Sequence, residues 1–320
     1  MAFRGGIDLG GTKIDAIVVD DAHQVLGTVR RATPTEGGPP DVVRELAAAL
    51  QEAAAAAGVE TSALAGVGVG APGKVDREQG TLSTAANLPN WSAPYPLAAE
   101  LGGKLGTRIE LGNDVRVAVE AERVLGAGRS HPSFLGVWWG TGVGGAVVLD
   151  GKLWLGRGSA GELGHVVVRI DGARCQCGRR GCLEAYAGRG AMERRARKAE
   201  LDGEKTKLFE IMRKHGRTRL TSGVWATALV RGDKLAQKLI DGAVEALGAA
   251  IGSVVNMLDV EAVIIGGGLG TRFGQPYVER IAAAAAPHLF VADRPPAFLA
   301  AELGDLGGAL GAALLVDDRG

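Results

Sequence analysis

Sulfur, aromatic rings and net charge are all scarce in the 320 residues, and each shortage excludes something. The three cysteines fall between Cys175 and Cys182. A secreted disulfide framework uses an even number spread along the chain, so a reducing, cytoplasmic setting is expected. Thirty-six basic side chains meet thirty-six acidic ones, which removes the basic surplus of a nucleic-acid binder. No window of about 18 apolar residues occurs. The N-terminal Met-Ala-Phe-Arg-Gly-Gly enters an apolar strand without an apolar stretch of signal length. Neither nucleic acid nor membrane is therefore an expected partner. Twelve prolines leave Gly plus Pro below the roughly 25–30% of disordered chains. A hydrophobic fraction of 46% suffices for one large or two medium domains. What the chain has in excess is glycine, 51 residues with no collagen-like period. Such an excess fits tight loops where backbone approaches a ligand closely.

Alternation and punctuation predict strands over Gly5–Leu9, Ile14–Val19 and Val25–Arg30, then a helix over Asp41–Ala57 after Pro39-Pro40. A strand over Leu64–Gly70, a polar loop over 71–90, a helix over Leu97–Leu105, a strand over Arg108–Leu111 and a helix over Asp114–Leu125 complete a βββαβαβα order. The pattern then restarts. Residues 136–150 lie on residues 6–20 without a gap, at a constant offset of 130: apolar strand, Gly/Thr turn, apolar strand, Asp. Two such halves imply a duplicated α/β architecture around a cleft. Residues 189–219 carry 11 Lys/Arg against 5 Asp/Glu and little apolar periodicity until Leu208, which predicts a solvated helical flap rather than a polyanion contact. An Ala-rich helix over Asp241–Leu258, a buried strand ending in Gly266-Gly267-Gly268 and a final helix over Gly307–Val316 follow.

Several residues have chemistry to offer. Asp8-Leu9-Gly10-Gly11-Thr12-Lys13 sits between two strands, so it is neither a Walker A loop nor a dinucleotide fingerprint. Glycines in such a hairpin let N–H groups face an anion, with Thr12 and Lys13 adding a hydroxyl and a charge. An ordinary Gly-Gly hairpin gives the same pattern. Gly140–Gly145 supplies a second turn of this kind and Gly266–Gly268 a third glycine-rich strand end. Strand ends of α/β sheets are where ligands bind, and three such loops favour a nucleotide. Asn113-Asp114 follows a strand and opens a helix; Asn113 is placed to cap while Asp114 takes a proton from a substrate hydroxyl. Glu162-Leu163-Gly164-His165 precedes Cys175-Gln176-Cys177-Gly178-Arg179-Arg180-Gly181-Cys182-Leu183-Glu184 by ten residues. Three thiolates with His165 as fourth ligand fit a structural tetrahedral Zn²⁺ without an open position.

These motifs, together with Gly70-Ala71-Pro72-Gly73 and Asn87-Leu88, resemble the ROK sugar kinases of the actin/hexokinase-like ATPase superfamily, most closely the bacterial glucokinases. The Cys-x-Cys-Gly-x-x-Gly-Cys-x-Glu run after Glu-x-Gly-His is the specific part. The resemblance implies a duplicated actin/ribonuclease H-like ATPase fold. Its small N-terminal domain would span 1–118, with a C-terminal helix near 305–320 packed on it, and its large domain 119–304. It implies ATP and a hexose as ligands, Asp114 as catalytic base for the sugar 6-hydroxyl, and Asn87, Asn113, Glu162, His165 and Glu184 on the sugar hydroxyls. Gly10, Gly11, Thr12 and Lys13 resemble the first phosphate loop, Thr141 and Gly142 the second, and Gly266, Gly267 and Gly268 the adenosine loop. Asp8 looks like the carboxylate associated with Mg²⁺, acting through water, and His165 like a residue that serves zinc and sugar at once. A homodimer or homotetramer is expected. The Asn87-Leu88 loop and the ten-residue gap before Cys175 resemble glucokinases more than kinases of N-acetylglucosamine or N-acetylmannosamine; mannose and fructose are the other acceptors, and polyphosphate the other donor. A ROK-type repressor would carry a helix-turn-helix ahead of the first strand, for which the sequence leaves no room.

Overall fold

A computed structural model of the chain describes residues 2–85 and 87–316. Met1, Ala86 of the expected 71–90 loop and residues 317–320 of the expected C-terminal segment lie outside them. The described chain divides into two units, one reaching Leu125 and resuming at Asp305, the other spanning Gly126–Gly304.

The first unit runs β1 (Arg4–Leu9), β2 (Lys13–Val19), β3 (Val25–Ala32), α1 (Pro39–Ala56), β4 (Val67–Ala71), β5 (Lys74–Asp76), β6 (Thr81–Ser83), α2 (Leu97–Leu105), β7 (Ile109–Asn113) and α3 (Asp114–Leu125). Its sheet has the order β3-β2-β1-β4-β7. The first three strands are antiparallel, and β4 and β7 join parallel. α1 starts at the two prolines, whose missing N–H groups have no partner in a first turn. It buries Val42, Val43, Leu46 and Leu50, a helical stripe that covers the sheet. The expected loop over 71–90 is in part structured. β5 and β6 form a small hairpin there, and the buried Trp91 donates its indole N–H to Leu82 O at 2.9 Å. Three-residue strands are too short for alternation to reveal.

The second unit runs β8 (Phe134–Trp139), β9 (Val143–Leu149), β10 (Lys152–Trp154), α4 (Glu184–Ala187), α5 (Arg189–Leu201), α6 (Leu208–Lys214), α7 (Ser222–Val230), α8 (Lys234–Leu258), β11 (Ala262–Gly266), α9 (Gly267–Phe273), α10 (Gln275–Ala285) and β12 (Ala297–Ala300). Its sheet order, β10-β9-β8-β11-β12, repeats the first in topology and strand direction. β1 and β8 begin 130 residues apart, as do β2 and β9. The pairing nevertheless differs by one residue. Leu9 opposes Ile14 in the first unit, while Trp139 opposes Val143 in the second. A one-residue slip turns aligned side chains to opposite faces. So Asp15 opposes Asp8 in the first unit, whereas Gly145, its counterpart in sequence, opposes Val137.

The expected solvated flap over 189–219 is corrected. α5 and α6 bury Met192, Ala196, Leu208, Phe209, Ile211 and Met212 in the core of the second unit. In α5 the charged outer face dominates the composition and hides the few apolar residues, while α6 buries four of its seven. Arg197 covers the outside of this packing, its guanidinium 5.1 Å from the Phe209 ring centroid. α8 begins at Lys234, about two turns before the expected Asp241, because the Asp233 carboxylate accepts the Ala236 N–H at 2.9 Å and caps it. Among the described residues α8 alone is long and apolar enough to cross a membrane; its apolar stripe is buried in the core.

After the second unit the chain returns to the first as α11 (Gly307–Leu314). Here many of the glycines find their use. A Cβ on Gly6 of β1 would strike Ala309 O, one on Gly68 of β4 would strike Ala312 O, and one on Gly311 would strike Val117 O of α3. α11 therefore lies on the sheet and on α3 at backbone contact, a separation no larger residue permits.

Candidate active site and metal centre

The first unit gathers its chemistry at the C-terminal end of β1 and β7. The turn Gly10–Lys13 is closed by Gly10 N–H donating to Lys13 O at 2.9 Å. It is pinned from outside by the buried Thr33, whose hydroxyl donates to Gly10 O at 2.6 Å. Gly11 lies against Asn87, where a Cβ would stand 2.7 Å from the Asn87 Cβ. Asn87 itself is exposed. Lys13 is engaged within the unit: its Nζ lies 2.8 Å from Asp15 and 3.6 Å from Asp305. Arg30 binds the same two carboxylates. The result is a Lys13–Asp15–Arg30–Asp305 network beside the first turn.

Asp8 stands directly across the strand pair from Asp15. Burial, then the charges of Asp114 and Asp15, push its carboxyl up to about 7, against the opposing pull of Lys13. A Cβ on Gly308, in the first turn of α11, would lie 2.6 Å from the Asp8 carboxyl carbon. Asp114 opens α3. Asn113 Oδ1 accepts the Arg116 N–H at 3.2 Å, a helix cap, while its Nδ2 donates to Asp114 Oδ1 at 3.0 Å. The Val115 N–H donates to the same oxygen at 2.9 Å. Asn113 thus caps the helix and also orients Asp114.

In the second unit the turn Gly140–Gly142 adjoins the third glycine-rich strand end, a Cβ on Gly140 coming 3.6 Å from Gly268 N. Gly267 adopts φ +80°, and a Cβ there would sit 2.8 Å from Trp139 N and O. Only glycine meets both demands. Gly266 closes β11 and Gly268 is exposed at the start of α9.

Glu162 precedes a single 3-10 turn, Leu163–His165, and its carbonyl accepts the His165 N–H at 3.0 Å. His165 faces the cysteines. Its Nδ1 lies 3.9 Å from Cys175 Sγ, and Cys177 Sγ lies 3.7 Å from Cys182 Sγ. One ligand atom from each of the four residues falls within 4.8 Å of the others. A tetrahedral zinc with Zn–S bonds of about 2.3 Å separates its sulfurs by about 3.8 Å, so the donor set and spacing both fit that ion. The sulfurs are too far apart for a disulfide. Burial pushes the Cys175 thiol up to about 12, whereas Arg179 pulls Cys177 down to about 6. With His165 Nδ1 turned to the sulfurs, Nε2 remains for another partner.

Glu184 opens α4 and stands next to this cluster. Oε2 accepts the Val143 N–H at 3.1 Å and Oε1 lies 3.9 Å from Cys175 Sγ. Gly142, Gly164 and Gly188 make room for it: a Cβ on Gly142 would strike its carboxylate, and one on Gly188 would come 2.9 Å from its Cγ.

Some residues of the site carry no local sequence signal. Arg30, Thr33 and Asp305 reach the neighbourhood of the first turn from farther along the chain, Gly308 comes against Asp8, and Arg189 reaches Thr141 with a side-chain hydrogen bond of 2.7 Å. A positively charged residue at the start of a basic helix reads as surface until the fold places it.

Comparison with known proteins agrees with this geometry. The model of the ROK family matches residues 4–319. A glucokinase of Thermotoga maritima is 34% identical over 319 residues, with 98% of this chain and 97% of that protein covered. An N-acetyl-D-glucosamine kinase of Yersinia pseudotuberculosis is 31% identical over 97% of both. A ROK family glucokinase from Streptomyces griseus, solved in complex with glucose and AMPPNP, superposes with a TM-score of 0.82 at 32% identity over 98% of this chain and 99% of that one. The two sheets are those of the actin-like ATPase fold. By sequence, fold and the Glu-x-Gly-His and cysteine motifs together, the chain belongs to the ROK family.

Proposed function

We propose that this ATP-dependent sugar kinase phosphorylates the 6-hydroxyl of glucose, with Asp114 as general base. The observation that carries the base assignment is the fixed Asp114 carboxylate, whose Oδ1 takes two donors, the Asn113 amide at 3.0 Å and the Val115 N–H at 2.9 Å. A carboxylate oriented in this way is ready to accept a hydroxyl proton as the oxygen attacks the terminal phosphate. In-line phosphoryl transfer asks the protein chiefly for positioning and charge neutralisation.

The first unit supplies Asn87, Asn113 and Asp114 for the sugar, and Gly10, Gly11 and Thr12 for the phosphates, with Lys13 held close by Asp15 and Asp305. The second supplies Glu162, His165 and Glu184 for the sugar, and Thr141, Gly142 and Gly266–Gly268 for the nucleotide. His165 offers Nε2 to a sugar hydroxyl because Nδ1 faces the cysteines. Zinc, when bound by His165, Cys175, Cys177 and Cys182, supplies a rigid frame for that ring and for Glu184 rather than a reacting centre. Mg²⁺, when bound with ATP, neutralises phosphate charge, and Asp8 is the carboxylate that would face it through water.

Glucose is favoured over N-acetylglucosamine by the Asn87-Leu88 loop and the ten-residue gap between His165 and Cys175. Glucokinases of Thermotoga maritima and two Streptomyces species and N-acetylglucosamine kinases of Yersinia are similar to this chain to nearly the same degree, so acceptor choice must be measured. A panel of hexoses and N-acetylhexosamines in a coupled assay of ADP release makes the test. Highest kcat/KM with glucose supports the proposal; highest kcat/KM with an N-acetylhexosamine refutes the acceptor, and no ADP release with any sugar refutes the kinase.

A further inference from the structure

The start of α5 closes over the turn between β8 and β9. Arg189 N–H donates to Gly140 O at 3.1 Å, and Gly190 N–H donates to Thr141 O at 3.0 Å. The Arg189 side chain turns back onto the same turn, Nη2 donating to Thr141 Oγ1 at 2.7 Å. Two further guanidiniums close on this point. A Cβ on Gly190 would stand 3.7 Å from Arg194 Nη1 and 4.0 Å from Arg219 Nη2.

Opposing charge is short. Among the described residues no carboxylate lies within ion-pair distance of Arg189 or Arg194. The nearby Glu193 is buried and already taken: it accepts two hydrogen bonds from Arg197, at 3.1 and 2.6 Å, and the Leu220 N–H at 3.1 Å. Arg219 Nε reaches it only at 4.0 Å. Burial and the charge of Arg219 work against the charged form of Arg189 and outweigh the opposing pull of Glu193. A half-buried guanidinium with a hydroxyl partner and a like-charged neighbour is costly unless an anion completes it.

We propose that Arg189, assisted by Arg194 and Arg219, forms a subsite for the donor's phosphate chain beside Thr141 and Gly142. The inference rests on the kinase reading and adds residues that the glycine turns alone do not reveal. Phosphoanhydride oxygens match guanidinium forks, which hold them with paired, charge-assisted hydrogen bonds. Two donors share that chemistry, a nucleoside triphosphate and inorganic polyphosphate.

Calorimetric titration with AMPPNP, with and without tripolyphosphate as competitor, tests the proposal on wild type, Arg189→Ala and Arg219→Ala, alongside steady-state KM values. Arg189→Ala is expected to raise the AMPPNP Kd and the ATP KM at least about 10-fold, and Arg219→Ala severalfold. The glucose Kd should stay within about twofold. If Arg189→Ala fails to fold, Arg189→Lys and the exposed Arg219→Ala carry the test. Competition by tripolyphosphate marks the site as open to polyphosphate; nucleotide-only binding that still weakens in Arg189→Ala assigns it to the nucleoside triphosphate, and both support the subsite. AMPPNP affinity unchanged in the variants overturns it, as does an equal loss of glucose affinity. A wild type that binds no AMPPNP overturns the kinase reading as well.

Discussion

Glu184 Oε1 lies 3.9 Å from Cys175 Sγ, while the other oxygen of the same carboxylate holds the Val143 N–H. One side chain thus joins the cysteine cluster to the first residue of β9, directly after the Gly140–Gly142 turn. Loss of the metal should therefore disturb sugar binding without any ligand to sugar being removed. Cys177→Ser is expected to abolish stoichiometric zinc and to weaken glucose at least about 10-fold, the scale on which groups supporting a site act. Metal analysis with glucose calorimetry checks this. Unaltered glucose affinity in the metal-free protein would remove the shared role of His165.

Asp8 gives the protein free of metal and nucleotide a characteristic pH dependence. Its carboxyl is raised from 3.8 to about 7 in the folded chain, so the folded state holds a proton that the unfolded state has released. The favourable contribution is complete below pH 3.8 and is lost as pH rises toward and through about 7. At pH 8, Asp8→Asn removes the buried charge and should raise Tm, by no more than about 4 kcal/mol of stability at 1.36 kcal/mol per pKa unit. At pH 5, about 1.2 pH units above the unfolded value, the gap should shrink to about 1.6 kcal/mol, and it should close below pH 3.8. Thermal denaturation in chelator decides; a pH-independent difference contradicts the burial account.

The packing of α11 predicts opposite outcomes for two glycines. Gly68→Ala drives a methyl group into Ala312 O and should cost more than about 2 kcal/mol, the scale of an overpacked core. Gly103, inside α2 with nothing near its missing Cβ, should gain about 0.5–1 kcal/mol as alanine. Urea unfolding of both variants measures the contrast, which vanishes if α11 does not lie on β4.

Much of this arrangement was legible in the residues. The offset of 130 announced two related sheets, and α2 and α3 run between the residues expected of them. The Cys-x-Cys-Gly-x-x-Gly-Cys-x-Glu run, with His165 ahead of it, announced the three thiols and the imidazole that the fold gathers within 4.8 Å of one another, because such donors cluster in sequence and their geometry is local. What stayed hidden depends on contacts between distant residues. The one-residue difference between the turns of the two sheets leaves no gap in the sequence, so the Asp8–Asp15 pairing could not be read from the repeat. Arg189, Arg30 and Asp305 looked like surface charge until tertiary structure set them against the turns. α5 was concealed by its own composition, since four buried residues in a helix of 13 are outvoted by the charged ones. The glycine excess had two meanings: some glycines shape loops, and others let α11 meet the sheet.

Asp114 is the proposed catalytic base. Asp114→Asn keeps the shape of the side chain and the helix that Asn113 caps, and removes the proton acceptor. Its kcat for glucose with ATP should fall about 10²–10⁴-fold, with the glucose Kd and the melting temperature close to those of the wild type. Turnover comparable to the wild type in a folded, glucose-binding Asp114→Asn protein would contradict the assignment of the base.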